Sequence, residues 1–423
     1  MTMLTPVQAK EREIFMDVLR GFAILGIFIA NLGSGFSWYD EGAHLKGPFL
    51  LSWDHDMDFL HHLFIEGKFY SIFSLLFGWG IALQIKRGLA KGIDAAPTVR
   101  RRLLFMLILG AIHLMIWPGD IVFFYALLGF VLLPLRKFSN KALLITGVVL
   151  ILSPILLYGL KMIFPVLNYP SEFLNRTGDS FSNKLNPQFA TIKSQEDFVN
   201  VMQHLSWWGV FKMNVAGFFY RYGYLFFVSR ISKVLGMFMI GYVVGRIDFY
   251  KNIQQYKKLL YYIIAFGVIV GLPANYFLAH YMSTAMGDYF SLKEKGLYQT
   301  IAYAIGVAPL AMTYVALFML AFQTGPGKKI LSLIAPAGKM AFSNYIMQSL
   351  VGNFVFLPAG LGLFGTIGPV YYTLFGFLFF ILQVILSTIW LKYFNYGPLE
   401  WFWRSATYKK WQPMRKTDTL QKE

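Results

Sequence analysis

Apolar runs of about twenty residues follow one another along almost the whole chain, separated by short polar, glycine-bearing or proline-bearing connections. A helix needs about 20 apolar residues to cross the ~30 Å hydrocarbon core of a bilayer. The pattern therefore predicts spans near 16–36, 60–85, 103–117, 120–135, 142–166, 224–245, 259–281, 297–322, 338–358 and 371–394. That is an all-α polytopic transmembrane helix bundle of about ten spans, with residues 1–423 forming a single membrane domain. The third and fourth spans are short, and Trp117-Pro118-Gly119-Asp120 reads as the compact turn of a helical hairpin between them. In 205–233 the apolar run is interrupted by Trp207, Trp208, Arg221, Arg230 and Lys233, which fits an interfacial helix or an eleventh span. Residues 168–204 are rich in Asn, Ser, Asp and Lys and predict an extracytoplasmic loop or small lid. Beyond Gly397-Pro398, the Trp-rich stretch 397–423 predicts an amphipathic tail lying flat on the inner membrane face. The polar lead Met1 to Arg12 runs into the first apolar helix without a cleavage site, so that helix is expected to be retained.

Composition agrees with this picture, since 57% of residues are hydrophobic and only 14% are charged. Soluble domains carry about 25% charged residues, so a soluble globular protein is excluded. The net charge of +17 does not point to nucleic acid, because the 38 Lys and Arg residues are scattered between apolar runs and not gathered on one soluble face. They recur in alternate connections: Lys10 and Arg12, Lys86 to Arg102, Arg136 to Lys141, Arg246 to Lys258, Lys328 to Lys339, and the tail from Lys392. The first opposite loop is acidic, with Asp40, Glu41, Asp54 and Asp56 against Lys46. Basic loops stay in the cytoplasm, which places both termini there. The absence of cysteine rules out disulfides, thiolate catalysis and Cys-ligated zinc.

Several polar residues stand inside or beside the spans. Arg20 and Asn31 are eleven residues apart, within about 20° of eclipsed on a helix, so with Asp17 they form a polar stripe. That stripe is either a track facing a cavity or an Asp17–Arg20 boundary pair with Asn31 joining two helices. On the second span Gly67, Ser71, Ser74 and Gly78 make a small-residue packing stripe. Before it come His61, His62, Glu66 and Lys68. His62 and Glu66, at i and i+4, suit a general base or, with ligands from elsewhere, a metal; the other reading is a wet rim snorkelling into headgroups. Asp120 is placed to cap the fourth span, and His113 sits among apolar residues where it either bonds a neighbouring helix or lines a cavity. Asn344 and Gln348 share a face beside Tyr345 and suit substrate recognition or helix gluing equally. Gly360, Gly362 and Gly365 match a dinucleotide-binding pattern but lie in a loop without the strand and helix that pattern needs. Walker A, HExxH and GxSxG motifs are absent, so any chemistry must be assembled across helices.

From Asp17-Val-Leu-Arg20-Gly21 to Asn31, the chain resembles the YeiB-like bacterial membrane proteins of domain-of-unknown-function family 418. The resemblance continues through Phe69 to Gly78, His113 to Asp120, Gly338 to Ser349 and Gly397 to Arg404, spanning nearly the whole chain. That family's helical core is similar to the transmembrane acyltransferases, among them the acyltransferase-3 and heparan-glucosaminide acetyltransferase families. The resemblance implies a bacterial inner-membrane protein that moves an acyl group from a cytoplasmic donor such as acyl-CoA to a hydroxyl or amine acceptor, a small molecule, lipid or glycan, at the outer face. In acyltransferase-3 proteins an Arg-Gly in the first helix is followed about three turns later by a His; here Arg20-Gly21 matches and Asn31 stands in the His position. Asn is not a general base, so the base falls to His61, His62 or His113. The resulting assignment is His113, His62 and Asp120 for catalysis and Asp17, Arg20, Asn31, Asn344 and Gln348 for substrate binding, with no metal. Of the histidines, His113 is expected to matter most, below the Trp117 turn where a cavity open to the outside would end. A transporter using the same residues as a midplane site, and a structural or lipid-sensing protein, are the competing readings, and the oligomeric state, homo-oligomers included, is open.

Overall fold

A computed structural model describes residues 13–39 and 49–416. The lead Met1 to Arg12, the loop residues Asp40, Glu41 and Lys46, and the last seven tail residues lie outside the described residues. The described chain is a helix bundle. Helix α1 (Ile14–Asn31) continues as a π-helical turn to Ser37. Helices α2 (Asp54–Phe64) and α3 (Lys68–Ala90) are two arms of one span, broken at Gly67, whose φ of 80° suits glycine. Then come α4 (Ala96–Ile116), α5 (Val122–Leu135), α6 (Asn140–Ile163), α7 (Tyr169–Leu185) and α8 (Gln195–Gln203). Helices α9 (Trp207–Phe227) and α10 (Arg230–Arg246) meet at a 71° bend. A π-helical turn joins α11 (Lys257–Phe266) to α12 (Leu272–Thr284), and α13 (Met286–Phe290) and α14 (Glu294–Phe322) follow. The chain ends with α15 (Gly325–Leu331), α16 (Ala335–Lys339), α17 (Ala341–Phe356), α18 (Pro369–Tyr393) and α19 (Pro398–Tyr408).

Six helical segments among the described residues are long and apolar enough to cross a membrane, and a seventh if α9 and α10 count together. The expected ten exceed this for a physical reason. Helix α5 is about 21 Å long and α17 about 24 Å, short of the hydrocarbon thickness, while α4 opens with Arg100, Arg101 and Arg102. The segment expected as a loop or lid at 168–204 is mostly helical, and its α7 packs along α9. Segment 205–233 is neither a lone interfacial helix nor a straight span but α9 and the start of α10, with Ser229 left-handed at the bend.

Basic connections gather at one end of the bundle, hereafter the basic end. Lys86 pairs with Asp248, Arg246 Nη1 donates to Phe138 O (2.8 Å) and Asn140 Oδ1 (2.9 Å), and Arg101 Nη1 donates to Thr407 O (2.9 Å). Apolar side chains such as Ile145, Val149 and Leu156 on α6 and Leu378, Ile381 and Ile385 on α18 face outward, as lipid-facing helices require. Inside, small residues let backbones touch. A Cβ on Gly78 would lie 2.0 Å from Phe238 O, and one on Gly241 2.0 Å from Leu75 O, so α3 and α10 cross at backbone contact. Helices α1 and α16 do the same, a Cβ on Gly338 falling 1.7 Å from Asp17 O and one on Gly21 2.6 Å from Ile334 O. The Arg20-Gly21 pair thus couples a cavity-facing cation to a close helix crossing.

Candidate functional site

Helix α4 stops at Ile116 because Trp117 is extended and Pro118 cannot extend the hydrogen-bond ladder. Asp120 then starts α5: its Oδ1 accepts from Phe123 N (2.7 Å). The two helices are so close that a Cβ on Gly110 would lie 2.3 Å from Phe123 N. This brings the other carboxylate oxygen to His113, whose Nδ1 donates to Asp120 Oδ2 at 2.7 Å. Both side chains are buried, at 2% and 0% exposure. A neutral imidazole with its proton on Nδ1 leaves the lone pair on Nε2, and among the described residues His113 Nε2 has no hydrogen-bond partner.

Opposite the basic end, the turn is sealed by other elements. Trp117 stacks on Phe36 with centroids 4.9 Å apart, Asn353 Nδ2 donates to Ile116 O (2.8 Å), and Asn214 Nδ2 donates to Ile116 O (2.8 Å) and Met115 O (3.1 Å). Above His113, on the side where an opening to the outside is expected, α9 and α17 thus hold the last carbonyls of α4.

The route toward the dyad comes from the other side. A cavity of about 480 Å³ runs inward from the basic end, with Ile121, Val122, Tyr125 and Tyr345 at its deep end. Tyr345 stands between this floor and the dyad: its ring meets His113 edge-on at 5.2 Å and its hydroxyl accepts from Ile121 N (3.2 Å). The walls are apolar, with Ile24, Ile27, Phe73, Leu76 and Met106 among them. Seven Lys and Arg side chains against three carboxylates ring the rest. Arg20 pairs with Asp17 (2.8 Å) and Lys251 with Glu13 (3.8 Å). Burial pushes the Glu13 carboxyl above its usual range, against the pull of Lys251. Helix α19 forms one side: Trp403 lies under the Arg102 guanidinium at 4.4 Å and donates from Nε1 to Arg102 O (3.0 Å). Glu400 accepts from Phe342 N (2.7 Å) and Ser343 N (3.1 Å), fastening α19 to the start of α17, and burial raises its pKa.

The other sequence candidates divide. Arg20 lines the cavity and Asp17 sits buried behind it. Asn31 is half-buried farther along α1 and is not part of the lining. Asn344 and Gln348 face α18 instead of the cavity: Asn344 Nδ2 donates to Ser387 Oγ (3.0 Å), Gln348 Nε2 to Gln383 Oε1 (2.8 Å), and Gln383 Nε2 to Asn344 O (2.9 Å). The second-span cluster does not act as one face, because the break before Gly67 separates Glu66 from α2. His62 lies against Asp58 (3.5 Å), Glu66 turns to Arg230 (3.9 Å), and Lys68 Nζ donates to His62 O (2.7 Å). Nor is it a wet rim, since His61 and His62 are buried, His61 between Tyr372 OH (3.1 Å) and Thr373 Oγ1 (2.7 Å) of α18. Among the described residues no group of three or more His, Asp or Glu side chains is placed to hold a metal. Tyr125 and the α19 wall were missed; their only sequence signals, an aromatic in an apolar run and a Trp-rich tail, are common to many packing residues.

Residues 244–410 match the family model described as Protein of unknown function (DUF418). The chain is 30% identical to "Uncharacterized protein YxaH" of Bacillus subtilis, over 98% of this chain and 99% of that protein. It is 27% identical to "Uncharacterized protein YeiB" of Escherichia coli, over 94% and 96% of the two chains. No solved structure matches it.

Proposed function

The chain belongs to the DUF418 family of membrane proteins, and from that premise we propose that it is a transmembrane acyltransferase of the bacterial cytoplasmic membrane, with the basic end facing the cytoplasm. The observation that carries this reading is the buried His113–Asp120 dyad, its Nε2 unpartnered, beside the deep end of a basic-rimmed apolar cavity. An acyl-CoA suits that cavity. Its phosphates meet Arg and Lys at the rim and its acyl chain meets the apolar walls. Once the Tyr345 ring turns aside, an acceptor hydroxyl or amine attacks the thioester carbonyl while His113 Nε2 takes the acceptor's proton, and the proton then passes to the departing thiolate as the carbon–sulfur bond breaks. Asp120 holds the ring and stabilises the imidazolium. This reading assigns Asn344 and Gln348 no part in the step, because their amides bond to α18 and Ala337 and neither lines the cavity.

Purified protein incubated with labelled acyl-CoA tests the reading. Donor hydrolysis or transfer that falls about 10²-fold or more in His113→Gln supports it; wild-type turnover in that variant overturns it. The second reading, transport of a small solute or lipid, is favoured by a cavity open at one end and closed at the other, the shape of one state in alternating access. Saturable uptake into liposomes without donor turnover would establish transport instead.

A further inference from the structure

A second polar site lies at the end of the bundle opposite the basic one, beside the bend between α9 and α10. A cavity of about 30 Å³ there is lined by Arg230, Lys233, Glu66, Gln299, Thr300 and Tyr303, with the half-exposed Met282 and Met286 at its edge. Its volume admits about two waters, or one small oxyanion. Lys233 is 7% exposed, and its ammonium lies 3.8 Å from the Tyr303 ring centroid with no hydrogen bond among the described residues. Arg230 lies over the Tyr70 ring at 4.3 Å, its nearest carboxylate oxygen is Glu66 Oε1 at 3.9 Å, and its buried Nε has no partner. Two cations therefore face one carboxylate. Two other buried lysines have acceptors: Lys68 donates to His62 O, and Lys161 donates to Phe227 O (2.9 Å) at the end of α9, while Arg221 Nε, like Arg230 Nε, is unpartnered among the described residues. Lys233 and Arg230 bring donors without acceptors to one cavity, which is costly unless an anion supplies them.

We propose that this pocket binds a phosphate group. One negative charge balances the excess cation. Arg230 Nε and Lys233 Nζ from α10 and the Tyr303 hydroxyl of α14, which shares a hydrogen bond with the Tyr70 hydroxyl (2.9 Å), bring donors from two elements to one cavity, which suits the several oxygens of a phosphate. The pocket is independent of the His113 site and of the acyl-transfer reading, and its ligand is either the headgroup of an anionic lipid or a free phosphate.

Thermal unfolding of the full-length protein in neutral maltoside detergent tests the proposal, because a ligand that binds the folded state raises Tm saturably. One arm titrates potassium phosphate against potassium chloride at matched ionic strength. The other titrates dioleoylphosphatidic acid against dioleoylglycerol, which lacks only the phosphate. A saturable rise with either phosphate probe and not with its control, with a midpoint at least tenfold higher in Lys233→Met, supports the site. A response to phosphatidic acid alone identifies a headgroup, and a response to potassium phosphate identifies a free anion. No saturable rise with either probe, or the same midpoint in wild type and variant, overturns it. If Lys233→Met does not fold, Arg230→Gln is read against the same two outcomes.

Discussion

Replacing Asp120 by Asn separates the two duties of that carboxylate. As a cap, Asn is about as good as Asp, so Phe123 N keeps its acceptor and α5 still starts where it does. As the partner of His113, Asn fails in two ways. It carries no charge to stabilise an imidazolium: with Nδ1 and Oδ2 2.7 Å apart, the charge centres are about 4 Å apart, an attraction of about 4 kcal/mol at an effective dielectric of about 20. The amide also presents an N–H where the carboxylate accepted, or competes for its oxygen with Phe123 N, which favours the tautomer with the proton on Nε2 and removes the lone pair a base needs. At about 1.36 kcal/mol per tenfold, the charge alone accounts for a loss of about 10³ in acyl-CoA turnover, with Tm close to wild type. Asp120→Ala should differ, since it strips the cap from Phe123 N as well, about 1 kcal/mol, and leaves the buried His113 Nδ1–H unpaired, about 1 to 3 kcal/mol; its Tm should fall by several degrees. Turnover of labelled acyl-CoA and Tm by tryptophan fluorescence read both quantities. Asp120→Asn with activity within threefold of wild type would refute the role of the dyad.

His62→Gln should lose activity by no more than about threefold, because His62 lies against Asp58 on α2, which contributes no side chain to the cavity lining, whereas α4, which carries His113, contributes Arg102, Leu103 and Met106; a loss matching that of His113→Gln would place α2 in the site. Gly338→Ala should lower Tm and the yield of folded protein, since its new Cβ meets Asp17 O at 1.7 Å and must push α16 off α1, a strain of about 1–3 kcal/mol; an unchanged Tm would mean that this crossing is loosely held. Reporter fusions at Lys91 and Lys328 should report the cytoplasm and one at Asn186 the outside, and reversal at any one of them breaks the orientation assigned from the basic connections.

What the sequence disclosed and what it concealed follow from the range of the forces involved. Helix existence depends on local apolar content, so the bundle could be read from hydrophobic runs, and the packing role of Gly78 from its spacing with Ser71 and Ser74. The difference between ten expected spans and the six or seven helical segments long and apolar enough to cross lies in α4, which carries Arg100 to Arg102, and in α5 and α17, which are short. A helix lined by protein and one lined by lipid look alike in composition. The His113–Asp120 contact was hidden for a similar reason. Each residue had a sufficient local explanation, a cap for Asp120 and an interhelical bond for His113, and only the backbone contact of Gly110 with Phe123 makes the two explanations one. His62 and Glu66 erred in the opposite direction. Their i, i+4 spacing holds only on an unbroken helix, and the left-handed Gly67 that ends α2 sends Glu66 to Arg230. The direction of the cavity was not legible either, because it depends on Asn214 and Asn353, distant in sequence, closing over the carbonyls of Met115 and Ile116. Those amides leave the basic end as the side from which the large cavity approaches His113, with Tyr345 the last ring before it.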